Sequence, residues 1–231
     1  MKLTILLDFD GVLFNSAYEA YQVCETMANR DNCYRHNLEF DEFMDFRTQL
    51  TDAWQFCRLY QKDRVLFDVT KLHEVEPDEA DWAFSKKFFA ARVEMIKDPN
   101  WAKFMSPYAF FYQLRPFLLN YPETFKILST RNKASIQRTL EFFEATGIEI
   151  FGQEAIREHG SKLNIAKFQN WLSNDSYVVY IDDMNRHLEP FEAEVDLCMH
   201  ADWGYDSANE NSYTQHQAFQ VIGGFLKLSY E

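Results

Sequence analysis

The chain has 231 residues, 47% of them hydrophobic and 26% charged, and a formal net charge of −13. This is enough apolar material for one α/β domain, or for a core carrying an inserted subdomain. So acidic a balance argues against a sequence-independent nucleic-acid binder, which needs basic residues to displace phosphate counterions.

Leu3-Thr4-Ile5-Leu6-Leu7 is an apolar run of strand length that stops at two carboxylates one residue apart, Asp8 and Asp10, followed by Gly11. The pattern predicts a buried strand delivering acids to its C-terminal edge, where ligands bind in open α/β sheets, and a glycine that lets the chain turn away. From Asn15 to about Arg30 the apolar residues fall at helical spacing, with Ser16 as the expected N-cap and Glu19 three residues on. From Asp31 to about Phe110 there is no glycine, and aromatics recur at three-to-four spacing: Phe40, Phe43 and Phe46, then Trp82, Phe84, Phe88 and Phe89. This block reads as all-helical. Pro77-Asp78 before Glu79 marks a helix start, and Asp98-Pro99-Asn100 a break.

The α/β pattern resumes near Tyr112. Arg115-Pro116 is expected to open a short helix that Tyr121-Pro122 ends. Phe125-Lys126-Ile127-Leu128 reads as a strand running straight into Ser129, Thr130 and Arg131. A helix is predicted over 134–145 with Gly147 as its stop, then a short strand over 148–151 and a helix after Ser161-Lys162. Tyr177 to Ile181 is the most strand-like segment, ending in Asp182-Asp183; a short strand over 195–199 and a closing helix over 219–228 complete the chain. Strands alternating with helices imply an α/β fold: a mainly parallel, Rossmann-like sheet with helices on both faces, plus an inserted all-helical subdomain. The expected boundaries are a core of 1–14 and 111–231 and an insertion of 15–110.

Cys24, Cys33, Cys57 and Cys198 form no close pair and no zinc-like spacing, so reduced thiols and a cytoplasmic location are expected. The short apolar run after one lysine is too brief for a secretory signal, and no run has the length needed to span a bilayer, so no membrane partner is expected. The oligomeric state cannot be read from the residues.

Three predicted strands therefore end in polar groups, at Asp8 and Asp10, at Ser129 and Thr130, and at Asp182 and Asp183, with Lys162 opening an intervening helix. In this order the residues resemble the four motifs of the haloacid dehalogenase-like superfamily across the whole predicted core. The resemblance implies a phosphatase in which Asp8 attacks a phosphomonoester and forms an aspartyl-phosphate. It also implies Mg²⁺ held by Asp8, Asp183, Asp182 and the backbone carbonyl of Asp10, the order of importance within the Asp182-Asp183 pair being open. The Asp10 side chain would serve as general acid and then general base. Ser129, with Thr130 as the next candidate, would hydrogen-bond the phosphoryl oxygens, and Lys162 would neutralise them and steady Asp8. Arg131 is open between binding a substrate anion and making a surface ion pair; His187 reads as a helix-start residue.

The insertion then resembles the cap of relatives that act on small, soluble phosphorylated metabolites, closing over the site to exclude water. Its cations Arg47, Arg58, Arg64, Lys86, Lys87 and Arg92 are candidates for reading the substrate. A phosphomutase shares the motifs, and a non-catalytic binding protein could use the fold; a dehalogenase would lack Asp10. Trp203-Gly204-Tyr205 resembles a loop of many relatives, with no role assigned by the sequence.

Overall fold

The computed structural model describes residues 2–31, 33–35, 38–47, 50, 52–60, 75–173, 175–209 and 211–230. It falls into two compact units, Ser16–Met105 and the combination of Met1–Asn15 with Ser106–Glu231.

The first unit is built from helices α1 (Ala17–Ala28), α2 (Phe40–Arg47), α3 (Cys57–Tyr60) and α4 (Glu79–Met95), with 3-10 turns at Ala53–Phe56 and Trp101–Phe104. The aromatic spacing makes its core: Phe43 stacks on Phe56 and Phe56 on Phe88, with ring centroids 5.3 and 5.5 Å apart. The start of α4 follows the sequence pattern, since the Asp78 carboxylate accepts the Asp81 N–H at 2.9 Å. The start of α1 does not. Ser16 makes no side-chain cap bond, and Glu19 is buried and takes Arg92 through two hydrogen bonds of 2.9 and 2.8 Å.

The second unit holds strands β1 (Lys2–Leu7), β2 (Phe14–Asn15), β3 (Ser106–Pro107), β4 (Phe125–Leu128), β5 (Glu149–Phe151), β6 (Ser176–Asp182), β7 (Leu197–Ala201) and β8 (Ser212–Tyr213). Its helices are α5 (Ala109–Asn120), α6 (Lys133–Phe142), α7 (Gln153–His159), α8 (Lys162–Phe168), α9 (Asn185–Leu188) and α10 (Gln215–Tyr230). The sheet order is β5-β4-β1-β6-β7-β8 with every neighbour parallel, and β2 pairs antiparallel with β3 outside it. Side chains alternate across the pleat, so Leu6, Leu128, Val178 and Tyr180 share one core with Ile165 and Trp171. Helix α10 packs against α5, β1 and β7.

Helix α5 begins a turn and a half before the expected Arg115-Pro116 start and runs through Pro116. Phe110, Phe111, Leu114 and Leu118 form a fully buried stripe at helical spacing, and that burial outweighs the hydrogen bond Pro116 cannot donate. Strand β7 is displaced two residues from the expected 195–199, and α10 starts earlier than 219. Register brings the motifs together: Leu7 lies opposite Ile127 on one side and Ile181 on the other. Asp8 and Asp182 therefore sit one level on, and Ser129 just beyond Leu128.

Candidate active site

Asp8 follows the last residue of β1, and its N–H donates to the Ile181 carbonyl at 2.9 Å, which fixes the backbone at the sheet edge. Its carboxylate is buried. Lys162, the first residue of α8, stands behind Ser161, whose hydroxyl caps the helix by accepting the Asn164 N–H at 3.1 Å. The Lys162 Nζ lies 3.2 Å from Asp8 Oδ1 and 2.6 Å from Asp182 Oδ2. The contact with Asp8 is an ion pair without hydrogen-bond alignment, so among the described residues this buried Asp8 oxygen has no hydrogen-bond partner.

Asp182 is the most heavily bonded acid of the site. Besides Lys162 it accepts from the Tyr180 hydroxyl, two residues back on the same face of β6, and from the Met184 N–H at 2.9 Å. His187 brings Nδ1 to 3.2 Å from Asp182 Oδ1 and 3.4 Å from Lys162 Nζ. Burial opposes the charge on Asp182, but Lys162 and His187 override it and hold the carboxyl well below its usual range. Burial dominates at Asp8 and pushes the carboxyl up to about 6 against the pull of Lys162. Burial also works against the Lys162 ammonium, yet Asp182 and Asp8 hold its pKa above the ordinary value.

Asp183 faces elsewhere. Its Oδ2 accepts the Tyr205 N–H at 2.7 Å, and its side chain lies close against two glycines. A Cβ on Gly11 would fall 2.0 Å from Asp183 Oδ2, and one on Gly204 would fall 2.1 Å from Asp183 Cβ. Gly11 has φ +81°, in the region that suits glycine. Asp183 is thus set against the Asp10-Gly11 turn, while Asp182 is set against Lys162.

Asp10 is partly exposed and takes Arg131 Nε on both carboxylate oxygens, at 3.0 and 2.8 Å. Arg131 is 3% exposed, so its ion pair is a buried one and not the surface pair offered by the sequence. Ser129 is fully buried at the end of β4, where its Oγ accepts the Arg131 N–H at 3.3 Å. Thr130 is exposed. The sequence reads His187 as a helix-start residue, and it lies in α9, but the reading did not place it beside Asp182 and Lys162. Its place on the first turn after Asp182-Asp183 was the available signal.

Asp8, Asp182 and His187 offer ligand atoms within 4.8 Å of one another, a group that could hold a metal ion. Those atoms also surround Lys162 Nζ, and an ammonium and a divalent cation repel too strongly to share that centre. The buried Asp8 carboxylate and the Asp183 carboxylate, seated against Gly11 and Gly204, supply hard oxygen donors of the kind that fit Mg²⁺.

No family model and no curated protein matches the chain. Solved structures do. A predicted phosphatase from Clostridium acetobutylicum superposes with a TM-score of 0.64 at 13% identity, over 97% of this chain and 99% of that one. A haloacid dehalogenase-like family hydrolase from Streptococcus pneumoniae gives 0.64 at 11% identity, over 97% and 98%. A predicted phosphoglycolate phosphatase from Haemophilus somnus gives 0.62 at 13%, over 96% and 98%. The chain has the haloacid dehalogenase-like fold along nearly its whole length.

Proposed function

We propose that the protein is a Mg²⁺-dependent phosphatase that hydrolyses a small phosphomonoester through an aspartyl-phosphate on Asp8. The observation that carries this reading is the single ammonium of Lys162 between Asp8 and Asp182, at 3.2 and 2.6 Å, on the edge where the parallel strands end. The names of the structural neighbours point the same way.

Asp8, Asp183 and the Asp10 carbonyl would hold the ion, with Asp182 committed to Lys162. The ion supplies charge neutralisation for an anion approaching a phosphate dianion. An Asp8 carboxylate oxygen attacks phosphorus and the bond to the leaving oxygen breaks, with Asp10 delivering a proton to that oxygen. Asp10 then takes a proton from water as the water oxygen attacks phosphorus, and the Asp8 carboxylate is released. Lys162 stabilises the transferring oxygens as a point charge, and the Ser129 hydroxyl with nearby N–H groups provides hydrogen bonds. Arg131 holds Asp10 in place.

Substrate choice is assigned to the helical unit. Arg58 pairs with Asp81, Lys87 with Asp31 and Arg92 with Glu19, and Arg47 donates to the Leu50 carbonyl, so these cations have structural work within the unit. Lys86 is exposed and Arg64 lies outside the described residues.

The test is hydrolysis of an aryl phosphate and a panel of small phosphorylated acids, sugars and nucleotides, with Mg²⁺ and after chelation. Activity that needs Mg²⁺ and falls to background in Asp8→Asn is expected. Full activity in chelated protein, or substantial turnover by Asp8→Asn, overturns the reading.

A further inference from the structure

The loop after β7 has no role in the steps above, yet its residues Trp203, Gly204 and Tyr205 reach two separate motifs. Gly204 lies so close to Asp183 that a Cβ at this position would have the Asp183 side chain as all three of its nearest atoms, the first at 2.1 Å. Gly11 makes the other wall, again with all three nearest atoms on that side chain. The Tyr205 N–H binds Asp183 Oδ2 at 2.7 Å, and the Tyr205 hydroxyl donates to Asn15 Oδ1 at 3.2 Å. Trp203 Nε1 donates to the Val12 carbonyl at 3.0 Å while its ring packs on Phe110, with centroids 5.1 Å apart. The Asp183 backbone is held too: its carbonyl accepts from His200 Nε2 at 3.0 Å. A carbonyl only accepts, so Nε2 carries a proton, and Nδ1 lies 2.8 Å from the Ser212 Oγ.

We propose that Trp203-Gly204-Tyr205 is a clamp that aims the Asp183 carboxylate at the metal-binding position and locks the first-motif turn, residues 10–12, against it. Gly204 and Tyr205 are positioning residues that act through Asp183, and Trp203 fixes the turn that bears the other wall. A carboxylate packed against two glycines and bonded to the Tyr205 N–H has few rotamers left, so the geometry for a small ion that demands a regular oxygen shell is set before the ion arrives. The inference rests on the proposed function only in taking Asp183 as a metal ligand.

The clamp is tested by Gly204→Ala alone and combined with Asp183→Gly, in the full chain. In metal-free protein, Gly204→Ala is expected to lower the melting temperature by about 5 °C or more, the scale of a forced core contact in a chain this long. On the Asp183→Gly background the same change should cost less than half as much, because the atoms it strikes are gone. If Gly204→Ala does not fold, the double variant should regain the folded state. Titration with Mg²⁺ alone, followed calorimetrically, should then show affinity weakened at least about tenfold in folded Gly204→Ala. Additive effects on melting overturn the contact between Gly204 and Asp183. Coupled melting with unchanged Mg²⁺ affinity overturns the clamp's part in metal binding. Wild-type protein that binds no Mg²⁺ overturns both that part and the proposed function, and does so without any variant.

Discussion

Arg131 donates through Nε to both carboxylate oxygens of Asp10, at 3.0 and 2.8 Å, although the two residues stand 121 positions apart in the chain. The guanidinium is itself buried, so the pair fixes where the Asp10 carboxylate points. If Asp10 moves the leaving-group proton, loosening it should matter most where the leaving oxygen is a poor one. Arg131→Met should therefore cost about ten- to a hundredfold in kcat for an alkyl phosphate and much less for an activated aryl phosphate, on the scale of one charge-assisted hydrogen bond. A series of leaving groups measures this. Uniform losses along the series would remove Arg131 from the positioning of Asp10.

His187 brings a further polar atom to the Lys162 ammonium, its Nδ1 at 3.4 Å beside Asp182 Oδ2 at 2.6 Å and Asp8 Oδ1 at 3.2 Å, and the same Nδ1 lies 3.2 Å from Asp182 Oδ1. An Asn side chain places a polar atom near the position of Nδ1, whereas Gln reaches only toward Nε2. His187→Asn should keep kcat within about threefold, and His187→Gln and His187→Leu should lose about tenfold or more, the worth of a hydrogen bond to a charged group. Steady-state kinetics of the three variants decides. Equal losses in the Asn and Leu variants would leave His187 a packing role alone.

Asp8 gives the metal-free protein a definite pH signature. Its pKa rises from 3.8 to about 6 in the folded state because burial disfavours the anion. Between those values the native state keeps a proton that the unfolded chain has lost, so stability falls as pH rises. The contribution is full below 3.8 and gone above about 6. Asp182 is shifted the other way, and its stabilisation is lost only as pH falls below the ordinary carboxylate range. Urea melts from pH 4 to pH 8 in chelator should show the decline in wild type and a flatter profile in Asp8→Asn. An identical slope in both proteins would place the titration elsewhere.

What the sequence makes legible follows from the range of the interactions. Leu3 to Asp8 and Tyr177 to Asp183 announce strands that end in acids, because an apolar run stopping at carboxylates is a local pattern. Parallel pairing then carries those ends to one edge, so the convergence of Asp8, Asp182 and Lys162 was within reach. The partners of Asp10 and Glu19 were not, since Arg131 and Arg92 lie 121 and 73 residues away and no local spacing encodes them. Ser16 and Glu19 illustrate the cost: the pattern of a cap is present, yet Ser16 makes no side-chain cap bond and Glu19 pairs in the core with a distant guanidinium. The difference between Asp182 and Asp183 was hidden for the same reason, because it depends on Gly11 and Gly204.

The Glu19–Arg92 pair separates stability of the helical unit from selection of substrate. Glu19 is fully buried and Arg92 is 7% exposed. The guanidinium holds both carboxylate oxygens and lies over the Phe88 ring, with Cζ 4.5 Å from the centroid. The cation that the sequence offered as a reader of substrate thus serves as the counter-charge of a buried acid. Arg92→Ala strands the Glu19 anion and opens space beside Phe88, which should cost about 3–5 kcal/mol of stability. Arg92→Met with Glu19→Gln restores volume and removes the charge, and should recover most of that loss. The ranking of phosphorylated substrates should be the same in the repaired double variant as in wild type. Denaturant melts read the first effect and a substrate panel the second. A repaired variant that folds as well as wild type but ranks substrates differently would return Arg92 to the residues that choose the substrate.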